Sequence, residues 1–264
     1  MYEIYESMVS IIFKLKILFK SIKIIKNWYL YPLCYFGLVR SVYICLKTKN
    51  LKINLRTHST DLMAFTNVWL IEEYSKSGFE IKNNDLVIDI GSHIGLFTLF
   101  SSQFCKNGKI LCYEPVKENY DLLSCNIRSN NLENIILFNY AVSKNEQPVK
   151  IFLNIDQSGH SMFIPSQDFI EINSISLKKI FDENNVIRCN LLKLDCEGAE
   201  YEIMETLPLS YFNKIDKMII EYHFATSKPN LLQNLIKKLE SLSYVVTIKQ
   251  ILPDIGLIYA KKNN

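Results

Sequence analysis

The chain has 264 residues, 48% of them hydrophobic, and a formal net charge of +3. That size accommodates one large domain, or one domain with an added cap, around a full globular core. Its seven cysteines (Cys34, Cys45, Cys105, Cys112, Cys125, Cys189, Cys196) are odd in number and show no C-x-x-C spacing, which argues against a zinc site and a secreted disulfide framework.

The net charge hides an asymmetry. Residues 1–56 carry ten Lys or Arg against only Glu3 and Glu6, so this part is near +8 and the remainder near −5. A basic head on a mildly acidic body predicts a peripheral contact with an anionic membrane or glycan, with a solvated helix face as the plain alternative. The cysteine pattern predicts a reducing, cytoplasmic setting. The longest apolar run, Trp28 to Val39, contains Pro32 and ends at Arg40, short of the ~20 residues a spanning helix needs. The opening stretch lacks a small-residue cleavage site after a clean apolar core, so no signal peptide is expected.

In chain order, residues 8–26 mix Ile, Leu and Phe with Lys at helical spacing, and a second helix is expected across 30–47. Leu51–Arg56 alternates as a short strand, and Asp61–Ser75 reads as a helix. Residues 1–50 are expected to form a basic helical head and 51–264 the main domain. From Leu86 the pattern is regular. Apolar runs of strand length at 86–90, 109–113, 135–140, 191–194 and 218–221 alternate with helical stretches at 94–105, 117–130, 176–184, 199–207 and 230–242. Strands that are continuously apolar are buried on both faces of a parallel, doubly wound α/β sheet. Val149–Leu153 and the Ser158–Ser161 region interrupt the alternation, as an extra hairpin or loop. The last two runs, Tyr244–Ile251 and Gly256–Lys261, are joined by four residues, too few for a parallel crossover, so they must be antiparallel. A parallel sheet closed by such a hairpin points to methyltransferases rather than dehydrogenases.

The candidate chemistry sits at the strand ends. The first strand runs into Asp89-Ile-Gly91-Ser92-His93-Ile-Gly95. Glycines at a strand-to-helix turn permit tight geometry and close ligand approach. The spacing is G-x-x-x-G, with His93 where a dinucleotide fingerprint has its second glycine. Asp89 suits a cation such as the ammonium of a methionine moiety. Glu114 ends the second strand, where an acid accepts bonds from ribose hydroxyls of adenosylmethionine or of a nicotinamide cofactor. Tyr140 and Ala141 at the third tip could hold an adenine edge, or Tyr140 could be a core residue. The fourth tip, Leu192-Lys-Leu-Asp195-Cys-Glu197-Gly-Ala-Glu200, carries three carboxylates that packing alone does not explain. At the fifth tip, His223 could take a proton from an attacking hydroxyl.

Taken together, Asp89–Gly95, Tyr113–Pro115, Asn126–Asn130, Tyr140–Ser143, Leu192–Glu200 and Ile220–His223 resemble the FkbM family of methyltransferases over roughly residues 51–225. Ser92-His93 departs from the family's common Ala-Asn. The resemblance implies a Rossmann-like fold, S-adenosylmethionine as methyl donor, and usually O-methylation, often of sugars in polysaccharides, glycolipids or secondary metabolites. The cofactor-binding candidates are Asp89, Gly91, Ser92, His93, Gly95, Glu114, Tyr140 and Ala141. Asp195 and His223 are the catalytic pair. No metal is called for, no nucleic acid partner is expected, and the acceptor is a small molecule or glycan. The rival readings are a non-catalytic nucleotide- or glycan-binding module on the same fold and, disfavoured by the glycine spacing and the hairpin, an NAD-dependent oxidoreductase.

Overall fold

The computed structural model describes residues 2–57, 59–152 and 169–263. The expected loop at Ser158–Ser161 lies outside these. The chain opens with α1 (Tyr2–Ile24) and α2 (Leu30–Tyr35), then a hairpin of β1 (Ser41–Cys45) and β2 (Lys52–Arg56). The second head helix is therefore shorter than expected. Val42 and Ile44 alternate with exposed neighbours, and the turn at Lys49 and Asn50, both at positive φ, folds the segment back onto β2. Ile25, Tyr31, Ile44 and Leu46 join the same core as Ile53, Phe65 and Trp69. Helix α3 (Asp61–Phe65) continues as a π-helical turn over Thr66–Ile71 and stops at Glu72, whose φ of 59° breaks the run.

The remaining elements are β3 (Leu86–Ile90), α4 (Leu96–Ser102), β4 (Lys109–Tyr113), α5 (Lys117–Ser129), β5 (Ile135–Phe138), β6 (Ala141–Ser143), β7 (Val149–Phe152), β8 (Phe169–Ile172), β9 (Ser174–Ser176), α6 (Leu177–Glu183), β10 (Leu191–Leu194), α7 (Glu200–Thr206), α8 (Leu209–Phe212), β11 (Lys217–Tyr222), α9 (Pro229–Ser241), β12 (Tyr244–Gln250) and β13 (Gly256–Lys262). Among the described residues, seven strands form the central sheet in the order β12-β13-β11-β10-β3-β4-β5. The five from β11 to β5 are parallel, and β13 is antiparallel to both β11 and β12. This is the Rossmann-like sheet with the antiparallel C-terminal hairpin that the short joint at 252–255 requires.

Alternate side chains of each central strand enter separate cores. Val87, Ile110, Leu191 and Ile219 face one side, with the N-terminal hairpin and α4. Ile88, Leu111, Leu192 and Met218 face the other, with α6, α7 and α9. Each such buried side chain contributes about 1.5–3 kcal/mol, which is why these strands read as mainly apolar runs. Cys34, Cys105, Cys112 and Cys189 are buried in this way, and all seven thiols are free. Among the described residues, no helix is long and apolar enough to cross a membrane.

The connectivity sets the position of the site. From β3 the chain winds outward through β4 and β5, then returns to lay β10 on the other side of β3. The connections leave in opposite directions at β3 and β10, and the crevice opened there, beyond the carboxyl ends, is where such sheets bind ligands.

Candidate active site

A cavity of about 400 Å³ opens at this crevice, within the size range of small-molecule sites. It is lined at the strand tips by Gly91, Ser92, His93, Glu114, Ala141, Asp195 and His223. Met63, Asn67, Glu73 and Tyr74, from the segment before the sheet, form another wall.

The turn after β3 is held by packing of the chain on itself. Gly91 has φ +73°, and a Cβ there would stand 1.8 Å from the backbone oxygen of Asp195. Only glycine lets the two neighbouring strand tips pass so closely. Gly95, at φ +88°, faces Leu123 of α5, where a Cβ would lie 2.4 Å from its Cδ1. Asp89 is fully buried: its Oδ2 accepts from Thr98 Oγ1 at 2.6 Å, and its Oδ1 stands 3.5 Å from Nζ of Lys193. The Lys193 ammonium also donates to the Gly91 carbonyl at 2.7 Å and lies 3.3 Å from Asp195. Burial works to lower the Lys193 pKa, but the Asp195, Asp89 and Glu221 carboxylates outweigh it, and the pKa is raised above the usual lysine value. Lys193 is thus a permanent buried cation beneath the turn.

Glu114 is buried at the tip of β4. Its Oε2 accepts the His93 backbone N–H at 2.8 Å, and its Oε1 accepts from Val116 N at 2.9 Å and Asn119 Nδ2 at 3.4 Å. Burial pushes its pKa up to about 7, with these hydrogen bonds pulling the other way. Three N–H groups occupy three of the four lone-pair directions of the carboxylate. Among the described residues, that leaves one direction for a hydroxyl in the cavity. A brace holds the wall beside it: Arg56 forms a two-pronged ion pair with fully buried Asp61 (3.0 and 2.9 Å) and donates to Asn119 Oδ1 at 2.8 Å. His93 Nε2 lies 3.4 Å from Arg56 and 3.5 Å from Asp61.

The tips of β10 and β11 bring acids around one imidazole. His223 is almost wholly buried, with Nδ1 3.2 Å from Glu200 Oε1 and Nε2 3.4 Å from Glu197 and 3.7 Å from Glu221. Burial acts to lower the His223 pKa, but the hydrogen bond and charge of Glu200, then Glu197 and Asp195, raise it to about 10. Burial raises Glu197 to about 7 and lifts Glu221 well above the carboxylate range. Glu197 projects from a turn at φ 51°, and Asp195 keeps a quarter of its side chain exposed at the cavity.

The structure therefore brings together Gly91, Ser92, His93, Glu114, Ala141, Asp195 and His223. Asp89 and Gly95 are not among the lining residues: they hold the turn from behind. Tyr140 points outward, 40% exposed, and does not line the cavity. Sequence reasoning assigned no site role to Lys193, Arg56, Asp61, Glu73 or Tyr74. Lys193 did leave a signal, since a lysine inside the run Leu191-Leu-Lys-Leu194 must find buried acids. Residues 56–74 reach the site only through tertiary packing, which spacing along the chain does not report.

Residues 89–246 match the Methyltransferase FkbM domain. This chain belongs to the FkbM methyltransferase family. Among its relatives, Methyltransferase 1 of Beauveria bassiana (strain ARSEF 2860) is 22% identical over 173 residues, covering 55% of this chain and 70% of that protein. Methyltransferase sdnD of Sordaria araneosa is 23% identical over 177 residues, covering 53% and 67%. A solved structure, the METTL16 MTase domain, aligns with TM-score 0.50 and 13% identity over 82% of this chain and 75% of that one, a likeness of fold. As an FkbM methyltransferase the chain has S-adenosylmethionine as its cofactor. The site fits it: the open acceptor direction of Glu114 suits a ribose hydroxyl, and a cavity lined by Glu73, Asp195, Glu197 and Glu221 suits a molecule bearing a sulfonium and an ammonium.

Proposed function

We propose that this FkbM methyltransferase methylates a hydroxyl oxygen of a sugar-bearing small molecule, glycolipid or polysaccharide precursor. The observation that carries the reading is the pairing of two faces in one cavity, Glu114 with the glycine turn on one side and Asp195 with His223 on the other. S-adenosylmethionine supplies a methyl group on a sulfonium, already a good leaving centre. The chain's task is then to align donor and acceptor and to relieve the acceptor of its proton. Glu114 and the backbone around Gly91–His93 hold the donor, and Asp89 acts on it through the turn and Lys193. Asp195 and His223 orient the acceptor hydroxyl, and a carboxylate of the cluster takes its proton.

Carboxylates at the cavity favour a polyhydroxylated acceptor, since each accepts hydroxyl hydrogen bonds. The same negative charge disfavours a nucleic acid backbone. Seven free thiols support a reducing, cytoplasmic setting. Peripheral contact with an anionic leaflet is supported by the head, where Phe13, Phe19, Tyr29, Phe36 and Leu38 are exposed among Lys14, Lys16, Lys23 and Lys26. The head, residues 1–50, is read as a cap on a catalytic domain of residues 51–264.

The test uses S-adenosylmethionine with a labelled methyl group, incubated with the protein and a glycan and glycolipid extract from cells lacking it. Label should enter that fraction in an alkali-stable ether. Label entering only nucleic acid or protein would overturn the acceptor assignment.

A further inference from the structure

Glu200 fixes His223 as a metal-binding histidine is fixed. Fully buried Glu200 accepts the backbone N–H of His223 at 2.9 Å and that of Gly198 at 2.8 Å, and its Oε1 lies 3.2 Å from His223 Nδ1. Nδ1 is thereby committed, and Nε2 is turned toward the cavity side, where Glu197 and Glu221 wait. A carboxylate behind the far ring nitrogen is the usual support of a ligating imidazole. One ligand atom from each of Asp195, Glu197 and His223 lies within 4.8 Å of the other two. Two ligands each about 2.1 Å from one ion stand up to about 4.2 Å apart, so modest side-chain rotation closes the set.

Charge points the same way. Asp195, Glu197, Glu200 and Glu221 surround one imidazole, and the cation beside them, Lys193, is shared with Asp89 and the Gly91 carbonyl. Acid side chains outnumber basic ones in this cluster, and an ion at Nε2 takes the place of the imidazole proton. All three candidate ligands line the cavity, so an ion held there would meet whatever lies beside the donor.

We propose that Asp195, Glu197 and His223 bind one divalent first-row cation such as Mn²⁺. Two carboxylates with one imidazole suit Mn²⁺, Fe²⁺ or Zn²⁺ rather than Ca²⁺, which takes six to eight oxygens. Three protein ligands leave positions for an acceptor oxygen. The site stands on its own geometry; its role rests on the methyl-transfer reading above and deepens it. The acceptor hydroxyl coordinates the ion, which lowers its pKa, and its proton passes to water in the cavity. An oxygen lone pair then forms the C–O bond as the methyl–sulfur bond breaks. That bond's electron pair stays on sulfur, leaving a neutral thioether.

The experiment titrates Mn²⁺ into the chelator-stripped full chain and reads free aquo-Mn²⁺ by electron paramagnetic resonance. One ion should bind per chain with micromolar affinity, and Asp195→Asn, Glu197→Gln and His223→Gln should each weaken it tenfold or more. Glu197 sits on a half-exposed turn, so Glu197→Gln keeps the test valid if another variant fails to fold. Calorimetry with S-adenosylmethionine in chelator tests the donor site separately. No Mn²⁺ uptake up to millimolar concentration, or uptake unchanged in every folded variant, overturns the proposal and leaves the donor reading intact if calorimetry shows binding.

Discussion

Lys193 and Asp89 form a buried ion pair, Nζ to Oδ1 at 3.5 Å, that ties β10 to β3 directly beneath the glycine turn. Both side chains are almost or wholly buried, so neither charge has water to fall back on. Removing one partner leaves an uncompensated charge in the core. Lys193→Met should therefore destabilise the fold by about 3–5 kcal/mol, measured by denaturant unfolding. A loss below about 1 kcal/mol, the worth of an exposed pair, would show that the pair does not brace the turn.

Glu114 should make donor binding depend on pH. Its pKa is pushed from 4.5 to about 7 by burial, so the folded chain holds this proton more tightly than the unfolded one. The group's contribution to stability is full at low pH and is lost as pH rises from 4.5 through about 7. Donor affinity runs the other way, because a carboxylate accepts a ribose hydroxyl better than a protonated acid does. Affinity for S-adenosylmethionine should rise between about pH 6 and 8 in the wild type and stay flat in Glu114→Gln, which does not titrate. Equal slopes in both would remove Glu114 from the donor site.

Asp195 should matter for turnover more than for donor binding. It stands at the cavity, a quarter exposed, beyond the last core residue of β10. Asp195→Asn should lower the methylation rate by roughly 10²–10⁴ while donor affinity stays within threefold. If the donor is lost with the rate, Asp195 is a donor ligand and the acceptor side of the site lies elsewhere.

Much of this architecture was legible because strands buried on both faces leave continuous apolar runs. β3, β4 and β10 appear in the sequence with their observed bounds, and the four-residue joint before Gly256 dictated the antiparallel hairpin. The acids at the strand tips were legible as residues but not in their partners. Asp89 reads as a ligand because it ends a strand, yet it faces Thr98 and Lys193, a choice made by packing 104 positions away in the chain. β1 was read as part of a helix across 30–47 because an apolar run as short as Val42–Cys45 fits either period, and pairing with β2 decides for the strand.

The basic head should bind anionic lipid. Its exposed apolar residues and lysines predict co-sedimentation with phosphatidylserine-containing vesicles that falls as salt is raised, because screening shortens the reach of each charge. Phe13→Ser with Phe19→Ser, both on α1 and more than half exposed, should reduce it without changing the unfolding midpoint. Binding that ignores both salt and these changes would leave the head as a packing cap.

We propose that the crevice between β3 and β10 holds S-adenosylmethionine with Glu114 as a direct partner. Isothermal calorimetry at about pH 8 tests it, where Glu114, at about 7, is ionised. The wild type should bind one S-adenosylmethionine per chain and no NAD. Glu114→Ala, still folded, should bind it more weakly by about 1–3 kcal/mol, the effect of losing a buried hydrogen-bond acceptor. Absence of binding to the wild type, or equal affinity in the folded variant, would contradict it.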